Sequence, residues 1–449
     1  MKRQFLTAWL ALVGLVALAA SADAGQFILR ARTGADADVL CARYGLVDVK
    51  VVHLQGADEI CVVTADTQSA ADADALRARV LADPLTEGFE VDSSQALAET
   101  ASSAGLAQST AAILEGFTLQ PPLTYFGSQV PSAYVAQPAA SIIRLAAAQR
   151  LATGAGIVAV IDTGIDAGHP ALAGAVVQGY DFINGVPGFP SDLAEISQST
   201  AAILEQLPAG APDSVALLNQ STAAILEQST AAILESAPLP AAFGHGTMIA
   251  GLIHLVAPTA SIMPLKAFTA DGSAQLSDLV AAIYYAVDNG ATVINMSFTL
   301  AAPSQSMLDA ISYATSQGVL CVAAAGNSGI QIDTYPASWS GVLDVASTTN
   351  ADQRSLFSNW SSRVDLSAPG EALITAYPGN HYAAAWGTSF STALVSGSVA
   401  LMHQYAPRLN ESAAMKALEN GADVPSGMGK ARLNAYHTLN ELIEMVMGG

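Results

Sequence analysis

Apolar residues recur with two periods along this chain, and the alternation of those periods outlines two folded units. In residues 26–93 short strand-like runs alternate with helical ones. Residues 27–32 alternate like a half-buried strand, and 35–44 suit a helix stopped by Gly45. Residues 47–54 and 59–65 are β-rich and are separated by Gln55-Gly56-Ala57-Asp58, a hairpin signal. Residues 72–81 read as a helix and 88–92 as a last strand. The order β-α-β-β-α-β predicts a small ferredoxin-like α/β unit. From about residue 138 the strand-like runs become almost wholly apolar: 156–161, 261–267, 291–296, 318–323 and 342–346. Helical segments fall between them, notably 276–289 and 304–317. Apolar strands alternating with helices predict a parallel sheet covered on both faces.

The stretch between the two units, 94–131, is rich in Ser, Ala, Gln and Pro and reads as a linker. The octapeptide Gln-Ser-Thr-Ala-Ala-Ile-Leu-Glu occurs four times unchanged, at 108–115, 198–205, 220–227 and 228–235. Its composition favours helix. Eight residues, however, advance about 80° past two helical turns, so tandem copies present no single apolar stripe. Roughly 187–239 is expected to be a surface insertion of short helices carrying three of the copies.

Charge narrows the function classes. The chain has 449 residues with 17 Lys+Arg against 38 Asp+Glu, a net charge of −21, which argues against nucleic acid or anionic membranes as partners. Lys2 and Arg3, the apolar run 10–20 and the small residues of Ala22-Asp23-Ala24 read as a secretory signal over 1–24. No later stretch is long and apolar enough for a membrane helix. Of the three cysteines, Cys321 has no partner in its own unit, while Cys41 and Cys61 either pair or sit as buried thiols.

Three sites carry candidate chemistry. Ser389, in Gly387-Thr388-Ser389, precedes apolar residues at helical spacing and so falls in the first turn of a helix. Unpaired amides and the positive end of the helix dipole favour an oxyanion there. A serine nucleophile needs a base. His53 lies in the small unit, and His403 is 14 residues along the same predicted helix as Ser389, about 21 Å away. His254 lacks a glycine setting, and His437 is near the C-terminus. His169 and His381 stay open. His245, in Gly244-His245-Gly246-Thr247, stands where a loop enters an apolar helix, with glycines admitting a close neighbour. Asp162 ends a predicted parallel strand, where open α/β sheets place their sites.

Val160-Ile161-Asp162-Thr163-Gly164, Gly244-His245-Gly246-Thr247 and Gly387-Thr388-Ser389 together resemble the three signatures of subtilisin-like serine proteases, in that family's order Asp, His, Ser. The resemblance covers about 150–437. It implies a subtilisin-like α/β fold, a parallel sheet flanked by helices on both faces. It also implies a catalytic triad of Asp162, His245 and Ser389. Ala324-Ala325-Gly326-Asn327 resembles the oxyanion-hole segment, with Asn327 as side-chain donor beside the Ser389 amide. The resemblance further implies substrate binding by Gly272, Ser273, Ala274 and Leu276 on one edge. On the other it implies Ser297, Phe298, Thr299, Ala324, Ala325 and Gly326.

Residues 25–95 resemble the family's inhibitory propeptide, followed by a linker over 96–137 and a catalytic domain over 138–449. The expected partners are polypeptide substrates and the chain's own propeptide, with no membrane anchor, and the expected location is outside the cell or in the periplasm. No cofactor is required, although calcium is possible. Ala171, after His169-Pro170, stands where many members carry a calcium-binding aspartate, so the usual calcium site lacks a ligand. Met248, Thr299 and Ala393 also depart from the family's wording without removing a catalytic group.

Overall fold

The computed structural model describes residues 25–52, 59–97, 122–196, 215–219, 222–225 and 239–447. The proposed signal, the 55–58 hairpin turn and the repeat copies at 108–115, 198–205 and 228–235 lie outside the described residues.

The small unit contains β1 (Gln26–Ala31), α1 (Gly34–Tyr44), β2 (Val47–Val52), β3 (Glu59–Thr64), α2 (Ala70–Leu81) and β4 (Thr86–Val91). Its antiparallel sheet has the order β2-β3-β1-β4. Thr33 and Ser69 cap the two helices through their side chains, and Gly45 ends α1 at φ +67°. Phe27, Leu29, Cys61, Val63 and Phe89 turn toward the helices to form the unit's own core.

β5 (Ser94–Ala96) leaves the small unit and pairs antiparallel with β12 (Ser273–Gln275) of the large one. The predicted linker therefore begins later than expected. It also ends earlier. Tyr125, Val130 and Tyr134 are buried in the large unit's core, and the phenols of Tyr125 and Tyr134 donate to the carbonyls of Leu255 and Gly251, each at 2.6 Å. Residues 123–137 thus belong to the large unit, not to a linker, because they bury aromatic surface against one of its central helices.

The large sheet has eight strands in the order β8-β7-β11-β6-β13-β14-β15-β16. They are β6 (Ile157–Asp162), β7 (Gly179–Asp181), β8 (Val186–Gly188), β11 (Ser261–Lys266), β13 (Val293–Met296), β14 (Leu320–Ala324), β15 (Val342–Thr348) and β16 (Leu366–Pro369). All pairings are parallel except β8 on β7. The strand period of two divides β6 between two cores. Val158 and Val160 face the buried helices α3 (His245–Val256) and α6 (Thr388–His403), while Ala159 and Ile161 face α4 (Leu276–Asp288) and α5 (Gln305–Ser316).

A second sheet joins β17 (Leu373–Tyr377) and β18 (His381–Ala385) to β9 (Val215–Asn219) and β10 (Thr222–Ile225), in the order β10-β9-β18-β17. Strands β9 and β10 correct the helical expectation for the insertion. The repeat copy at 220–227 supplies β10, whose antiparallel pairing with β9, itself parallel to β18, overrides helix propensity. The insertion's start also needs correction. β8 belongs to the main sheet, Asp192 is fully buried, and Glu195 pairs with Lys266, so residues 187–196 are part of the fold. The chain closes with α7 (Glu411–Leu418) and α8 (Ala435–Met447).

Candidate active site

Asp162 closes the central strand β6, between β11 and β13. The chain crosses from β6 to one side of the sheet and later returns to the other, so the ends of these strands open a crevice. His245 is the first residue of α3 and packs across that crevice. Its Nδ1 lies 2.8 and 2.9 Å from the two carboxylate oxygens of Asp162, and both residues are almost wholly buried. The Thr163 amide donates to Asp162 Oδ1 at 2.8 Å, fixing the carboxylate's plane. Glycine is required beside the histidine, because a Cβ at Gly246 would collide with the Gly164 carbonyl and crowd Asp162. The approach of α3 to β6 thus depends on the residue after His245 having no side chain.

Ser389 stands in the first turn of the 16-residue helix α6, every residue of which is buried. Its hydroxyl donates to the Ser297 carbonyl at 3.1 Å. The Ser297 hydroxyl donates back to the Ser389 carbonyl at 3.0 Å and accepts from Asn295 Nδ2 at 2.8 Å; Ser396 in turn donates to Asn295 Oδ1 at 2.9 Å. This chain of bonds ties the β13 terminus to α6. The His245 ring lies against Phe390, with centroids 5.6 Å apart, so the histidine and the serine's neighbour share one wall. Asn327 is oriented through its oxygen, which accepts from the Thr388 amide and hydroxyl, both at 2.9 Å.

A recess beside Ser389 is lined by Ser297, Phe298, Thr299, Ala324, Gly326 and Asn327, and no charged side chain enters it. Leu97 of the chain's own N-terminal part reaches the same recess. Its amide donates to the Gly272 carbonyl at 2.8 Å, continuing the β5–β12 pairing that occupies Ser273 and Ala274. One residue expected at the recess lies elsewhere, and Leu276 takes its expected place on the opposite edge. Ala325 packs with Ala346, Val364 and Met428. Leu276, the first residue of α4, is buried in the same apolar cluster as Leu97, and its amide donates to the Ser93 carbonyl at 3.0 Å. His169 and His381 are not at the triad. Burial lowers His169 to about 4, and its ring bonds the His381 carbonyl at 2.8 Å. Ala171 is packed into the core on the Pro170–Leu172 turn, so this turn offers no carboxylate to a calcium ion and the residues do not fit the family's usual site there.

Sequence reasoning missed Asp192, Glu195 and Lys266, which sit directly behind the Asp162–His245 pair. It also missed Thr388 as the anchor of Asn327. The burial of a lysine at a strand end opposite Asp162 was the available signal, since buried lysines require partners.

The comparisons with known proteins agree with this geometry. Residues 154–440 match the Subtilase family, and the chain belongs to this family of serine-type endopeptidases. It is 32% identical to thermitase of Thermoactinomyces vulgaris over 301 residues, covering 64% of this chain and 89% of thermitase. It is 33% identical to the thermophilic serine proteinase of Bacillus sp. (strain AK1) over 286 residues, 63% of this chain and 61% of that protein. Among solved structures, fervidolysin from Fervidobacterium pennivorans superposes with a TM-score of 0.64 at 20% identity, covering 93% of this chain and 61% of fervidolysin. A lanthipeptide protease gives 0.55 at 20% identity, over 71% of this chain and 99% of the other. At that identity the structural likenesses speak for the fold.

Proposed function

We propose that this protein is an exported endopeptidase that cleaves polypeptides through an acyl-enzyme on Ser389, with residues 25–97 acting as its inhibitory propeptide. The observation that carries the catalytic reading is the buried Asp162–His245 pair, held at 2.8 Å between a strand end and a helix start, beside a serine heading a buried helix. In the reaction Ser389 Oγ attacks the substrate carbonyl carbon while His245 Nε2 takes its proton. Asp162 holds the imidazole by Nδ1 and offsets the imidazolium charge. The oxyanion is held by the Ser389 amide, at the positive end of α6, and by the side-chain amide of Asn327. His245 then gives the proton to the leaving amine as the C–N bond breaks. Water, deprotonated by the same imidazole, releases the acid. The chemistry is complete with protein groups alone. The uncharged recess favours a large apolar residue before the scissile bond, and a peptide-library profile dominated by Arg or Lys there would contradict it.

The propeptide reading is supported by what occupies the cleft. β5 lies on β12 as an extended peptide substrate would, and Leu97 joins Ser389 in lining the recess. The first maturation cut is therefore expected within a residue or two of Leu97. Export is supported by the character of residues 1–24. N-terminal sequencing of the protein recovered from the culture medium, alongside the Ser389→Ala variant, tests the whole reading. The expected result is a cut wild type and an uncut variant, with fluorophosphonate labelling of the wild type only. An uncut, unlabelled wild type would refute it.

A further inference from the structure

A second carboxylate lies behind the triad. Asp192 is fully buried, and its Oδ2 accepts from both the Gly244 amide and the Thr163 hydroxyl, the latter at 3.2 Å. Thr163 follows Asp162 and Gly244 precedes His245, so one oxygen bridges the two segments that must meet for the Asp162–His245 bond to form. The Thr163 hydroxyl also accepts from the Gly246 amide at 3.2 Å, closing a ring around the pair. The corner is pinned from its other side by the Tyr377 ring, against which a Cβ at Gly244 (φ +85°) would clash. Lys266, in register with Asp162 on the adjacent strand, donates to the Thr163 carbonyl at 2.5 Å and pairs with Glu195 from the same short turn as Asp192. Glu195 is tied down in turn by the Ala270 amide at 2.8 Å.

We propose that Asp192, in its ionised form, is a positioning residue of this protease, holding the Gly244–His245 corner against Thr163–Asp162. The proposal rests on the triad reading above. An ionised carboxylate accepts both bonds and sets negative charge at the N-terminus of α3, next to the imidazole that becomes charged in the reaction. Protonation removes that charge and weakens both bonds. The groups facing Asp192 act in opposite senses. Burial pushes it up to about 7 and the Asp162 charge adds to this, while the Gly244 bond, the Lys266 charge and the Thr163 bond pull it down. Its other oxygen, Oδ1, has no hydrogen-bond partner among the described residues, which also disfavours the charged form. Tyr377 stays neutral, raised by burial and by Asp192 itself. Asp192 thus protonates in the same range as an ordinary imidazole, about 6.5. Loss of the Asp192 charge is then expected to lower kcat/KM up to about fivefold on the acid side, beyond the one-proton limb of the imidazole.

The test measures kcat and KM on a short peptide from about pH 5 to pH 9 for matured wild type, Asp192→Asn and Asp192→Ala made as full-length chains. Asn keeps the acceptor and loses the charge. Its kcat at high pH is expected within about fivefold of wild type, with an acid limb that returns to a one-proton slope. Ala loses both bonds, and its kcat is expected to fall about 10–100-fold with KM within about twofold. A kcat for Asp192→Ala within about twofold of wild type, or an acid limb of the same shape in wild type and Asp192→Asn, overturns the proposal, and the second readout decides the matter even if Asp192→Ala does not fold. Ser389→Ala serves as the separating control. Turnover retained by that variant would sink the triad reading, whereas turnover lost there with an unaltered limb in Asp192→Asn sinks only the role of Asp192.

Discussion

The two sheets of this protein are covered in different ways. In the large sheet, β6 packs Val158 and Val160 on one helical layer and Ala159 and Ile161 on another, all from the same unit. In the small sheet, β1 packs Phe27, Leu29 and Ala31 on its own helices, but Ile28, with Ile60 of β3, belongs to the large unit's core alongside Leu279, Ile283 and Ile311. The large unit is self-sufficient, while the small one finishes its burial on a neighbour. Polar contacts repeat the pattern. Asp92 accepts from the amide and hydroxyl of Ser277 at 2.9 and 2.7 Å, and Glu90 accepts from the Ser306 amide at 2.7 Å and the Ser304 hydroxyl at 3.0 Å. Two acids of the small unit thus sit at the N-termini of α4 and α5, where helix dipoles favour negative charge. Arg30–Asp309 and Lys50–Asp278 ion pairs flank them. A unit completed by another is built to recognise it.

The largest expected effects lie wholly within the self-sufficient unit. Ser389→Ala and His245→Ala are each expected to lower kcat by about 10⁶-fold and Asp162→Ala by about 10⁴-fold, the size of the corresponding losses in subtilisin. Single-turnover assays with active-site titration check this, and near-normal turnover by Ser389→Ala would break the assignment. Asn327→Ala should cost about 10²–10³-fold in kcat with little change in KM, since the amide acts on the oxyanion rather than on the bound substrate. A loss confined to KM would instead make Asn327 a ground-state contact.

Acid should act on the two regions in opposite directions. Burial lowers His254 of α3 to about 4, as it does His169. An unfolded histidine binds a proton near 6.5, so the unfolded chain takes up protons across that interval that the folded one refuses. Stability is therefore lost as pH falls from about 6.5 toward 4, by about 3 kcal/mol for each such histidine. Thermal unfolding of wild type and His254→Leu should show a shallower acid loss in the variant, and parallel curves would contradict this. Docking has the other sign. Burial against the large unit raises the carboxyl of Asp92, so association of the small unit should strengthen as pH falls through its docked value.

The smallest effect sharpens the same contrast. Asp92→Ala removes a cap worth about 1 kcal/mol, which should speed release of the cut N-terminal unit roughly fivefold without altering kcat on a short peptide. Size-exclusion of matured protein at a series of dilutions checks it, and a fall in kcat would mean the cap supports α4 rather than the interface.

The elements that carry the proposed triad are legible in local sequence, because each of its residues announces its own element. Asp162 ends an apolar strand, and His245 and Ser389 open apolar helices next to glycines. Asp192 is not legible, since its partner Gly244 lies 52 residues away across the repeat-bearing segment, and neither neighbourhood has a signature of its own. Residues 123–137 carry the Pro, Ser and Gly of a linker, and only the packing of Tyr125 and Tyr134 on α3 shows them to be core. For β10, Thr, Ala and Ile suit either helix or strand; pairing with β9, remote from any local period, decides the outcome.

The strand β5, seated on β12 with Leu97 in the recess, has a consequence for how this protein responds to dilution. While the chain is continuous, the occupant of the cleft is held at an effective concentration of order millimolar by its own tether, whatever the protein concentration outside. On the maturation proposed above, one cut beyond Leu97 would turn the same contact into a bimolecular one, with affinity set by Asp92, Glu90 and the shared apolar core. In a concentrated compartment the cleft would then stay filled, and on dilution it would empty. On that proposal, the position of β5 would let protein concentration itself set how much of the cleft is open.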